Sequence, residues 1–123
     1  MRVFVVWEPV LKTDIAPPFA GALGLIKDRR VAQYWDSGRA LSDDLVRSVN
    51  ASLDSYGLEE PLPEGFIAWD VVAVFKPGDR WENDVPVPEY YGGPVVNVID
   101  PAREAIVRAL RPTAASAVPA LRN

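Results

Sequence analysis

Val3-Phe4-Val5-Val6-Trp7 is a run of β-branched and aromatic residues, apolar on both faces that a strand's two-residue repeat presents. Strands that alternate apolar with polar have one wet face, whereas an uninterrupted apolar run reads as a strand covered on both sides. The segment is therefore expected to lie inside an α/β sheet. Glu8 to Pro18 follows as a loop with prolines at 9, 17 and 18, and Pro17-Pro18 suit the first turn of a short helix over Phe19 to Ile26.

Val31 to Trp35 reads as a second strand, entered through the polar Asp28-Arg29-Arg30 and closed by Asp36-Ser37-Gly38, a turn. Leu41, Leu45, Val46, Val49 and Leu53 then recur at helical spacing. Ser42 is expected to be the N-cap, Asp43 and Asp44 to complement the dipole, and Gly57 to end the helix. Phe66 to Phe75 reads as the longest strand, stopped by Lys76-Pro77-Gly78-Asp79. Arg80 to Gly93 is expected to be a surface loop, followed by a strand over Val95 to Ile99. Asp100-Pro101 would cap and open a final helix from Ala102 to Leu110. The expected order is β-α-β-α-β-β-α, an α/β fold with a four-stranded mixed sheet and helices on its faces. Residues 1–111 would form one domain and 112–123 a flexible tail.

Composition excludes several chemistries. With no Cys among 123 residues there is no disulfide, no thiol nucleophile and no dithiol redox couple. With no His there is no Ser-His-Asp triad and no ordinary zinc or copper site. No cofactor motif is present, and any metal would be a hard cation such as Mg²⁺ or Ca²⁺. A net charge of −4 with scattered cations argues against nucleic acid as a partner. The apolar runs are too short for a membrane span and the opening residues carry no signal-peptide pattern, so the chain is expected to be cytoplasmic.

Three fragments carry a resemblance. They are Val5-Val6-Trp7-Glu8-Pro9-Val10-Leu11 with Thr13-Asp14, then Asp28-Arg29-Arg30-Val31 running into Gln33-Tyr34-Trp35-Asp36, and Ala68-Trp69-Asp70-Val71 with Pro77-Gly78 and Arg80-Trp81. Together they resemble an uncharacterised bacterial thioredoxin-like family. The resemblance implies a thioredoxin fold entered at its second strand, without the first β-α unit. It also implies that Glu8 and Leu11 stand at the two positions where thioredoxins carry cysteine, so thiol redox chemistry is lost. Without a preceding strand, the outer edge of Val31 to Trp35 has no partner, and unpaired edges are usually covered. A homodimer built on that edge, or on the helix face left bare, is the expected assembly. The competing reading is a monomer whose edge is guarded by Arg29 and Arg30.

All four tryptophans precede an acid: Trp7-Glu8, Trp35-Asp36, Trp69-Asp70 and Trp81-Glu82. If the first two strands are parallel neighbours, Glu8 and Asp36 emerge at one carboxyl edge, where α/β sheets place ligands. Asp14 would join them, with Trp7 and Trp35 as walls. Two readings follow. One is an acidic pocket holding a cation or using a raised-pKa carboxylate as a base. The other is structural: Asp36 and Asp14 cap helices or turns, Glu8 is solvated, and Asp70, inside a strand, pairs with an arginine. Trp81, Tyr90 and Tyr91 likewise offer either a contact surface on a proline-stiffened loop or a cover for the sheet. Two functions remain open: a non-enzymatic binding or assembly module acting through a dimer surface and this loop, and a small enzyme using Glu8, Asp14 and Asp36, with Mg²⁺ as the candidate cation.

Overall fold

The structure, a computed structural model, describes residues 1–112. The element order is β1 (Val3–Trp7), α1 (Ala20–Leu23), β2 (Val31–Trp35), α2 (Ala40–Asn50), a 3₁₀ turn (Leu53–Tyr56), β3 (Val72–Val74), β4 (Tyr90–Gly92) and α3 (Val95–Ala109). β1 and β2 pair in parallel, with Val3 opposite Val31 and Trp7 opposite Trp35. β3 and β4 pair antiparallel, with Ala73 opposite Tyr91.

These are two separate two-stranded sheets. The expected four-stranded mixed sheet is not formed, and β1, expected in a sheet interior, is an edge strand. The reason lies in Phe66 to Val71. Its backbone does not enter a ladder: the Ala68 N–H donates to the Ser42 hydroxyl at 2.8 Å and the Trp69 N–H to the Ile67 carbonyl at 2.8 Å. Asp70 then takes a left-handed φ of 54°, which breaks an extended strand. Only Val72–Val74 remains to pair, and its partner is Tyr90–Gly92, from the segment expected to be a loop. Among the described residues Asp70 pairs with no arginine either; its Oδ1 accepts the Val95 N–H at 3.3 Å, at the start of α3.

Val95 to Ile99, expected as a strand, is the first part of α3, and Pro101 sits inside that helix rather than at its start. Val98, Ala102, Ala105 and Ala109 share one face, and Ala102 and Ala105 are buried where α3 packs on β3 and β4. Tertiary burial outweighs both the β-branched residues and the proline. α1 is shorter than expected. α2 ends at Asn50, so Gly57, with φ of 65°, closes the 3₁₀ turn instead. The expected tail lies, beyond Pro112, outside the described residues.

The main core joins Leu45 and Val49 of α2 to Val85 and Tyr91, with Tyr56, Leu62 and Phe75 packed around them. Every fully buried side chain among the described residues lies at Ser42 or beyond. β1 and β2 touch mainly each other. The molecule thus has a packed half built on α2, β3, β4 and α3, and a β1–α1–β2 unit that adds no fully buried residue. No helix among the described residues is long and apolar enough to cross a membrane.

Candidate functional site

The parallel register places Trp7 and Trp35 side by side at the ends of their strands, and the Asp36 N–H donates to the Trp7 carbonyl at 2.9 Å. Glu8 and Asp36 therefore leave the sheet together, directly against the N-terminus of α2. The first amides of a helix have no intrahelical acceptor, and the dipole there favours negative charge. Glu8 and Asp36 meet both needs. Asp36 Oδ2 accepts the Leu41 N–H at 2.8 Å, and its Oδ1 accepts the Gly38 N–H at 3.2 Å. Glu8 Oε1 accepts the Ser42 N–H at 3.1 Å, while Oε2 accepts the Ser42 hydroxyl.

Ser42 is not the N-cap, a position held by Arg39 with φ of 58°. It lies within α2, only 1% exposed, and its hydroxyl both donates to Glu8 and accepts from Ala68. One serine thus ties the end of β1, the start of α2 and the Phe66–Val71 segment. Burial raises the Glu8 carboxyl above its ordinary 4.5; the Ser42 hydrogen bonds pull it back only in part, and the adjacent Asp36 carboxylate adds to the rise.

That shift has a testable sign. A carboxyl raised in the folded state binds its proton more tightly there than in the unfolded chain. The stability it contributes is present below pH 4.5 and is lost as pH rises through the raised value. Glu8→Gln keeps an acceptor for the Ser42 N–H and removes the titration. The urea midpoint of the variant, followed against that of the wild-type chain, should lose this downward slope above pH 4.5, and at neutral pH the variant should be no less stable.

Asp14 caps neither helix. Its Oδ2 accepts the Val10 and Leu11 N–H groups at 2.9 and 2.7 Å, closing its own loop against β1. This loop brings Asp14 beside Glu8: the two acids, with Trp7, Ala16, Pro18 and Trp35, line a cleft of about 220 Å³. A neighbouring hollow of about 200 Å³ shares Trp7, Pro18 and Trp35 and reaches Gln33. The Trp7 indole N–H donates to Gln33 Oε1 at 3.0 Å, and the Gln33 amide donates to the Leu23 carbonyl at 2.8 Å. Gln33 thereby fixes one wall and ties α1 to the sheet.

Comparison with family models, curated proteins and solved structures yields no match for this chain.

Five of the expected site residues, Trp7, Glu8, Asp14, Trp35 and Asp36, converge at this end of β1 and β2. The other three lie elsewhere. Trp81 packs edge-on against Phe75, with centroids 5.0 Å apart. Tyr90 and Tyr91 belong to β4, where Tyr91 is buried edge-on to Tyr56. Sequence reasoning missed Ser42's role and Gln33. Gln33 has a visible signal, a polar residue in an otherwise apolar strand; Ser42 has none, because its partners lie 34 and 26 residues away.

Among the described residues no group of three or more acids converges to hold a metal ion. Glu8, whose carboxyl is raised, has both oxygens engaged by a buried serine. Glu8 and Asp36 thus fasten the start of α2, and Asp14 its own loop.

Proposed function

We propose that this chain is a non-enzymatic binding and assembly module that works as a homodimer through its β1–α1–β2 unit. The carrying observation is the uneven burial. Met1, Phe4, Leu11, Ile15, Phe19, Leu25 and Tyr34 are all exposed, half of the exposed large hydrophobics among the described residues, whereas the fully buried core begins beyond them. A two-stranded sheet with one face left open, as at Phe4 and Tyr34, is marginal in water.

Area supports a partner of substantial size. The chain exposes 9672 Å², against roughly 6,500 Å² for a folded monomer of its mass. Residues 113–123 would account for at most about 1,600 Å² of the difference even if fully extended. The remaining surplus exceeds the roughly 800 Å² per partner that a stable interface buries. A second copy is the occupant that suits a free strand edge: a two-fold axis beside β2 pairs it antiparallel with its own copy and extends the sheet to four strands. Tyr34, on the pairing strand, would anchor the contact, with Phe4 on the same face behind it, the ring centroids 6.1 Å apart. Of the loop aromatics, Trp81 keeps an outer face, 49% exposed, for further contacts.

Sedimentation equilibrium tests the assembly. The expected mass is twice 13.5 kDa at micromolar concentration. The Phe4→Glu/Tyr34→Glu variant, shown to be folded by circular dichroism, should weaken self-association at least about tenfold. A mass of 13.5 kDa at every concentration would refute the proposal.

A further inference from the structure

Phe4 and Tyr34 lie on one face of the β1–β2 pair. The opposite face, by strand alternation, carries Trp7, Gln33 and Trp35 and holds the cleft described above. Its composition is specific. Two indoles and Pro18 line it together with two carboxylates, and no Lys or Arg does. The wall at Trp7 is fixed by its hydrogen bond to Gln33, and the loop bearing Asp14 by that residue's two backbone bonds. Both Asp14 bonds fall on Oδ2, and Oδ1 accepts none from the described residues.

Indole faces attract cations, and a carboxylate oxygen with unused lone pairs accepts from a donor. A guanidinium satisfies both demands at once, being planar, permanently charged and able to stack while it donates in its own plane. A hydrated metal ion gains nothing from indole walls, and a hydrocarbon ring leaves Asp14 Oδ1 without a donor; a neutral ring that donates lacks the charge that an indole face and a carboxylate both attract. We propose that this cleft binds a guanidinium group against Trp7 and Trp35, with Asp14 Oδ1 as its acceptor. The group could be borne by a partner protein's arginine side chain or by free arginine, and the two sources are separable.

The test is a ¹H–¹⁵N titration of the full chain at constant ionic strength, read at the indole N–H signals. The probes are N-acetyl-arginine amide, free L-arginine, and N-acetyl-citrulline amide as the neutral isostere. The signals of Trp7 and Trp35 should move saturably with the two arginine probes, with Kd of order millimolar, while Trp69 and Trp81 stay still. Citrulline should move none. Equal affinity for the two arginine probes assigns the site to a protein-borne side chain; free arginine binding about tenfold tighter assigns it to the small molecule. Asp14→Asn keeps the loop's acceptor but turns Oδ1 into a donor, and should weaken binding at least about fivefold. Trp35→Phe, which keeps an apolar ring, should weaken it by a smaller factor.

Equal shifts from citrulline and arginine, or no indole response to either arginine probe, would overturn the proposal. Undiminished affinity in folded Asp14→Asn would do the same. None of these readouts depends on self-association, so failure here and failure of the dimer are told apart by the sedimentation mass.

Discussion

Ser42→Ala lowers the unfolding free energy by about 3 kcal/mol, more than any ordinary serine substitution on a helix. The change removes one oxygen and strands two groups. The Ala68 N–H loses its acceptor, and the half-buried Glu8 carboxylate, already disfavoured by burial, loses a donor. An unsatisfied buried polar group costs about 1–3 kcal/mol, more when it is charged. Ser48 supplies the internal control. It is also buried in α2, but its hydroxyl makes one bond, to the Pro86 carbonyl at 2.8 Å, so Ser48→Ala should cost only about 1 kcal/mol. Urea unfolding of both variants, with the midpoint shifted and the slope unchanged, measures the difference. Equal small losses would mean that Ser42 does not join the three segments.

Pro101→Ala raises stability by about 1–2 kcal/mol. Pro101 lies inside α3, where it donates no N–H to the carbonyl of Asn97 and its ring crowds that turn. Alanine restores the bond and brings the best helix propensity; part of the gain is offset because proline also restricts the unfolded chain. Had the helix begun at Pro101, proline would have been favourable at its first position and the substitution would have brought a loss. Thermal and urea unfolding of the variant therefore decide between a continuous helix from Val95 and a strand followed by a shorter helix. A drop in melting temperature would contradict the continuous helix.

The parts of the fold legible in the residues are those set by local pattern. The apolar runs ending at Trp7 and Trp35 do form strands, and the Leu41–Val49 periodicity does form a helix. What was illegible depends on partners distant in sequence. Tyr90–Gly92 reads as a loop among prolines and glycines, and is a strand only because Val72–Val74 lies beside it. Phe66 to Val71 has strand propensity, yet Ser42 and the left-handed Asp70 take its backbone away from a ladder. In Val95–Ile99 the β-branched residues mask a helical stripe that continues through Ala102 and Ala105.

The same division holds at the site. Adjacency of Glu8 and Asp36 follows from two parallel strands that end in register, and was therefore visible. Their use was not, because it depends on how α2 is set against the strand ends. Trp81, Tyr90 and Tyr91 looked like one aromatic surface by proximity in sequence; β4 and Phe75 divide them.

On the proposal above, a second copy of the chain completes the β1–α1–β2 unit. Amide hydrogen exchange of Val31–Trp35, followed at two protein concentrations about a hundredfold apart, tests this directly, because protection gained by association follows mass action. Assembly through β2 makes these amides exchange more slowly at the higher concentration, while those of α2 and α3 exchange at one rate throughout. Rates in Val31–Trp35 independent of concentration, at a mass of 13.5 kDa, would contradict it.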